Sequence, residues 1–199
     1  IIDFLSFKKN YFEINKLWGI KIIIATIPSI IVGFFVYEYL IDYFRNIKVI
    51  AWSSIIFGII LFLADRKKHS NKNWEDLNFL EVLVVGIFQV FAFIPGASRA
   101  GVTITGARIL NIKRKSAAIF SMLLSIPIIF ASLSLAIIDI NTLNIRELNL
   151  MGPLLATIVS FITALISINF MMKILQVTNF NIFIIYRILL GITLLTIYA

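Results

Sequence analysis

Pro95-Gly96-Ala97-Ser98-Arg99-Ala100-Gly101 breaks an otherwise apolar chain with a proline, two glycines, a hydroxyl and one permanent cation. Insertion scales put a charge at the bilayer centre at roughly 2.5–3.5 kcal/mol, so such a residue faces a cavity or a partner and is a functional candidate by default. The stretch reads as an anion-binding turn, and its two flanks read as legs. Leu77 to Ile94, carrying Glu81 and Gln89, leads in; Val102 to Leu110 leads out and is too short to cross before Asn111-Ile112-Lys113-Arg114-Lys115. Two legs meeting at a Pro/Gly break predict a re-entrant hairpin, allowed inside a bilayer only where its irregular backbone is buried in protein or faces water.

The rest of the chain supplies the housing. It has 199 residues, 60% of them hydrophobic and 14% charged, with a mean hydropathy of +1.00. Apolar runs predict crossing helices over about Ile22 to Phe44, Val49 to Ala64, Ser116 to Ile138, Leu148 to Met172 and Ile182 to Tyr198, since a helix needs about 20 residues to cross hydrocarbon. Pro28 falls in the first turns of the first, Pro127 marks a kink in the third, and Arg187 interrupts the last. Lys8 to Lys21 reads as a mixed polar and aromatic interfacial segment with Trp18 near its end. The expected fold is an all-α polytopic membrane protein: about five transmembrane helices plus one re-entrant helical hairpin.

A formal charge of +8 raises nucleic acid as a partner, but the basic residues stand at the ends of apolar runs rather than along a polar face, so topology accounts for them. Under this layout one side collects Lys8, Lys9, Lys16, Lys21, Arg66, Lys67, Lys68, Lys72, Lys113, Arg114, Lys115 and Lys173; the other receives Arg45, Lys48 and Arg146. Twelve against three places the first side in the cytoplasm and opens the turn outward. With no cysteine, disulfides, thiolate metal sites and a cysteine nucleophile are excluded. No cleavable signal peptide is visible. The chain starts at Ile1, and the run Ile1 to Phe7 meets Lys8-Lys9 at once, as the end of a preceding helix would. Glu38 and Asp42 share a helix face among Tyr37, Tyr39 and Tyr43, which fits a solvated helix end better than a carboxylate site. His69, the single histidine, stands among lysines as a solvated loop residue.

At the turn, Gly96 and Gly101 permit dihedrals that other residues avoid, and the start of the second leg offers unpaired N–H groups at a positive dipole end. Ser98 adds a hydroxyl, Arg99 adds a planar fork of donors suited to phosphate, and Thr103 and Thr105 stand within reach from the following turn. The competing reading is a kinked helix in which Arg99 pairs with Glu81 or a lipid phosphate.

Gly86-Ile87-Phe88-Gln89, then Pro95-Gly96-Ala97-Ser98-Arg99-Ala100-Gly101-Val102-Thr103-Ile104, then Ala117-Ala118-Ile119-Phe120-Ser121-Met122-Leu123-Leu124-Ser125-Ile126-Pro127 closely resembles the undecaprenyl-diphosphatase family of bacterial bacitracin-resistance proteins. The resemblance runs over essentially the whole chain, to Ile185-Tyr186-Arg187. It implies an inverted-repeat membrane fold with two re-entrant hairpins, and hydrolysis of undecaprenyl diphosphate to undecaprenyl phosphate, which recycles the lipid carrier of cell-wall synthesis. Arg99 and Ser98 take the catalytic roles, with Gly96, Ala97, Gly101, Thr103 and Gln89 binding substrate and no metal ligand assigned. The resemblance also implies a multi-pass protein of the bacterial inner membrane with its turn facing the periplasm. The partners it implies are a polyprenyl diphosphate and membrane lipids; it leaves open a homo-oligomer and a divalent cofactor, magnesium or calcium.

Two departures stand out. Ala100 occupies a position where the family usually has a hydroxyl residue. The family's glutamate-rich helix and P-x-S-S-x-G-H turn, a source of carboxylates and histidine for proton transfer, are absent from these residues, so residues 1–199 read as one integral membrane domain lacking the family's N-terminal helices and first re-entrant motif. An inactive truncated fragment and a lipid-phosphate transporter or flippase are the alternative readings, the latter because broken helices at a repeat interface also serve transport.

Overall fold

The computed structural model describes residues 16–39, 46–66, 71–142 and 151–198. Seven α-helices occur among them: α1 Lys16–Tyr39, α2 Ile47–Asp65, α3 Phe79–Val90, α4 Arg99–Ile109, α5 Arg114–Thr142, α6 Met151–Val177 and α7 Asn181–Tyr198. Five contain spans long and apolar enough to cross a membrane, Leu17–Val36, Ile47–Asp65, Arg114–Ile137, Met151–Leu175 and Asn181–Tyr198. Large apolar side chains such as Phe34, Trp52, Phe130, Phe161 and Ile166 point away from the protein. A surface of that kind suits hydrocarbon rather than water, and the chain is an all-α polytopic membrane protein.

The first helix begins earlier than its apolar run. Lys16 to Lys21 joins α1 because tertiary contacts hold it there: Trp18 packs edge-on against Trp74 with centroids 5.2 Å apart, and Lys21 Nζ donates to the Glu75 carbonyl at 2.7 Å. Pro28 therefore lies in the middle of α1 rather than in its first turns. The third and fourth of the expected crossing helices, α5 and α6, likewise extend past their apolar runs, to Thr142 and Val177.

The re-entrant hairpin is present. Asn78 caps α3, its side chain accepting from Glu81 N at 2.8 Å while Glu81 accepts from Asn78 N at 2.9 Å, a reciprocal capping box. A 3-10 turn at Phe91–Phe93 ends this leg, and α4 returns. Lys113 N donates to Lys72 O at 2.9 Å and Trp74 N donates to Ser116 Oγ at 2.8 Å, so the hairpin begins and ends at the same level. Its tip packs on Ile50, Ser53 and Ser54 near the start of α2. At 1.5 Å per residue that is roughly 5–10 Å from the first residue of α2 and roughly 15–25 Å from Asp65, so the hairpin reaches most of the way along a crossing helix. Small residues permit the approach: Gly86 lies against the Ala25 backbone, and a Cβ at Gly33 would stand 2.6 Å from Phe93 Cζ.

The opposite end is tied by rings and charges. Trp74 stacks on Phe120 at 5.3 Å. Buried Asp65 pairs with Arg108 Nε at 2.9 Å and Arg114 Nε at 2.9 Å, joining α2, α4 and α5. Arg108 also donates to Ile112 O at 2.6 Å. Lys72 pairs with Glu81 at 2.6 Å, which removes Glu81 as a partner for Arg99. Lys21, Lys72, Lys113 and Arg114 thus gather at one end, while Lys48 stands in the first turn of α2 at the other. Asp42, His69, Lys8, Lys9, Lys67, Lys68, Arg45 and Arg146 lie outside the described residues, as do the side chains of Lys16 and Glu38.

Candidate functional site

Local chemistry builds the turn. Pro95 cannot continue a hydrogen-bonded helix, and Ala97 N folds back to donate to Ile94 O at 3.0 Å. Gly96 has φ 90°, and a Cβ there would also collide with Ser53 Oγ and the Ile50 carbonyl, so this position requires glycine twice over. Ser98 sits at φ 62° and ψ 114°, a conformation that costs an L-residue about 1–3 kcal/mol and is found where function demands it. From there Ser98 caps α4: its Oγ accepts from Gly101 N at 3.4 Å, and its carbonyl accepts from Val102 N at 3.0 Å. The other N–H groups of the first turn have no intrahelical partner and carry the positive end of the helix dipole.

The acceptors of the turn face the protein interior. Ser53 Oγ donates to Pro95 O, and Ser54 Oγ donates to Gly96 O at 3.3 Å. Arg187, from the middle of α7, donates through Nη2 to Gly96 O at 2.9 Å and to Ala97 O at 2.6 Å. It is 8% exposed, and its Nη1 is buried with no hydrogen-bond partner. A Cβ at Gly101 would stand 2.5 Å from that nitrogen, so Arg187 lies directly beneath the start of α4. In the sequence Arg187 stands only as part of a motif and as an interruption of an apolar run. The signal that could have found it is the one that found Arg99: a lone cation inside an apolar helix.

Arg99 leans on α5, with Nη1 donating to Ser121 O at 3.1 Å. It is half-buried, and among the described residues neither Arg99 nor Arg187 makes an ion pair. Gly96, Ala97, Ser98, Arg99 and Gly101 come together as expected. Thr103 and Gln89 do not join them on the open face. Thr103 is fully buried, bonded to Ser121 Oγ at 2.7 Å and Arg99 O at 2.9 Å, because a threonine four residues on in a helix turns its hydroxyl back to that carbonyl. Thr105 does the same to Gly101 O at 2.7 Å. Gln89 is buried with neither amide atom hydrogen-bonded.

The arrangement can hold an anion: a charged fork, a helix start and backbone N–H groups converge, and among the described residues no carboxylate is paired to either arginine. It does not fit a divalent cation. Hard cations take several oxygen ligands, usually including carboxylates, whereas this turn presents N–H groups and guanidinium, and among the described residues no group of three His, Cys, Asp or Glu is close enough to hold a metal.

Comparison with known proteins agrees with the motifs. Residues 3–193 match the family described as bacitracin resistance protein BacA. The chain is 38% identical over 177 residues to the undecaprenyl-diphosphatase of Jannaschia sp., covering 88% of this chain and 66% of that protein. It is 36% identical over 182 residues to that of Ruegeria sp., covering 89% and 66%. Against that of Pelagibacter ubique it is 38% identical over 175 residues, covering 87% and 68%. The chain therefore spans about two thirds of the length of the curated relatives it matches. With residues 3–193 of its 199 matched, the chain belongs to the bacitracin resistance protein BacA family.

Proposed function

We propose that the chain forms the diphosphate-binding part of an undecaprenyl-diphosphatase, a membrane phosphatase that releases phosphate from undecaprenyl diphosphate and so recycles the lipid carrier of cell-wall synthesis. The observation that carries this reading is the pairing of an anion-shaped turn with two arginines that no carboxylate among the described residues neutralises. Arg99 clamps the diphosphate oxygens and stabilises the charge that develops as the bridging bond breaks. Ser98 and the N–H groups at the start of α4 take further oxygens, while Gly96 and Gly101 let the turn seat against α2 and Arg187. Thr103 supports the site from behind, bonding Ser121, whose carbonyl takes Arg99. Proton transfer to the leaving phosphate requires acid/base groups, and none stands in this turn.

The orientation follows the positive-inside rule: the Lys21, Lys72 and Arg114 end lies in the cytoplasm, and the turn opens to the periplasmic side of the inner membrane, within reach of a lipid headgroup. The test is phosphate release from undecaprenyl diphosphate by the purified full-length protein in detergent. Release at a rate above a protein-free control is expected. Movement of labelled lipid phosphate across a vesicle membrane with no phosphate released would replace this reading with transport.

A further inference from the structure

We infer that Arg187 is a positioning residue that sets the polarity of the anion turn, holding its carbonyls inward so that its N–H groups face the ligand. This rests on the reading of the turn as a diphosphate clamp.

The geometry begins with the peptide plane. No peptide bond among the described residues is cis, and in a trans unit the carbonyl of one residue and the N–H of the next point in opposite directions. A carbonyl fixed toward the interior therefore fixes the following N–H away from it. Three successive carbonyls of the turn are fixed in this way: Pro95 by Ser53, Gly96 by Ser54 and Arg187, and Ala97 by Arg187 alone. The N–H of Gly96 and Ser98 consequently face outward, whereas that of Ala97 is spent on Ile94 O. Ser98 N–H stands next to the unpaired N–H groups that open α4, so the Ala97 carbonyl decides whether the nest is complete.

A neutral donor could hold those carbonyls. An arginine does more, because a cationic donor polarises the peptide units it binds and strengthens their N–H groups as donors. Its other nitrogen, Nη1, is buried, unpartnered and against Gly101, so the positive charge lies directly behind the anion position without touching it. A purely structural residue has no need of this. A charge left without a carboxylate in an apolar interior is costly unless something outside balances it, and a bound diphosphate is that balance.

The test is the affinity of the purified full-length protein for inorganic pyrophosphate, measured by calorimetry in detergent, with the melting temperature of each variant recorded beside it. Arg187→Met should weaken pyrophosphate binding on the order of tenfold or more, the scale of hydrogen bonds to a charged group, and Arg187→Lys should recover part of the loss. Gly101→Ala forces Nη1 aside and should weaken binding in the wild type but add nothing in the Arg187→Met background, a non-additivity that independent structural damage would not produce. If Arg187→Met does not fold, Arg187→Lys decides, since an ammonium cannot reproduce the fork that spans both carbonyls: several-fold weaker binding than wild type supports the inference and unchanged binding overturns it. Wild-type affinity in a folded Arg187→Met protein overturns the inference while leaving the clamp intact. No binding by the wild type overturns the clamp, and the inference with it.

Discussion

The two ends of α4 carry arginines in opposite circumstances. At its last turn Arg108 meets Asp65, which also takes Arg114, and a surplus of backbone carbonyls completes the set. At its first turn Arg99 and Arg187 meet, among the described residues, only carbonyls, of Ser121 on one side and of Gly96 and Ala97 on the other. The helix is 11 residues long, so the two arrangements lie about 15 Å apart in one packed unit. A neutralised buried charge is architecture. A charge with donors satisfied but no counter-charge is a place where an anion completes the structure, and that contrast separates the scaffold from the site.

The largest effect should come from removing the uncompensated cation on the open side. Arg99→Ala should lower turnover of undecaprenyl diphosphate on the order of 10²–10³-fold, as loss of one charge-stabilising donor does, with little change in melting temperature because Arg99 is only half-buried. The mirror experiment is Asp65→Ala. It leaves Arg108 buried without its carboxylate and should destabilise the fold by about 3–5 kcal/mol, seen as a lowered melting temperature in detergent. An Asp65→Ala protein as stable as wild type would erase the distinction between the two ends. Gly96→Ala should fall between these, reducing both pyrophosphate affinity and stability, since φ 90° alone costs an L-residue about 1–3 kcal/mol and Ser53 must also move.

The smallest effect tests Glu75, whose backbone holds Lys21 at the paired end. Burial raises the Glu75 carboxyl above its ordinary value, and its Oε2 has no hydrogen-bond partner. A carboxyl whose pKa is raised by folding binds protons more tightly in the folded state, so stability should fall as pH climbs from the ordinary carboxylate pKa through the raised one. Glu75→Gln should therefore raise the melting temperature slightly at neutral pH and lose that advantage below the ordinary carboxylate range. An equal gain at both pH values would show that the group's charge is not the cause.

The sequence makes the hairpin and the turn legible because their signals are local: a Pro/Gly break, a cation in an apolar run, and legs of unequal length. The start of α1 was not, since Lys16 to Lys21 becomes helical through Trp18 on Trp74 and Lys21 on Glu75, partners more than fifty residues away. Distance along the chain puts Thr103 within reach of the turn, whereas helix phase turns it inward. Arg187 was visible as an oddity but not as a partner, because the carbonyls it holds lie 90 and 91 residues earlier. Pairwise chemistry across such a separation exists only once the helices are packed.

The most direct test of the clamp is kcat/KM for phosphate release from undecaprenyl diphosphate by the full-length protein, compared between wild type and Arg99→Ala at matched folding. The account predicts a loss on the order of 10²-fold or more, partly recovered in Arg99→Lys because a point charge replaces the fork. Near-normal turnover in a folded Arg99→Ala protein would contradict it.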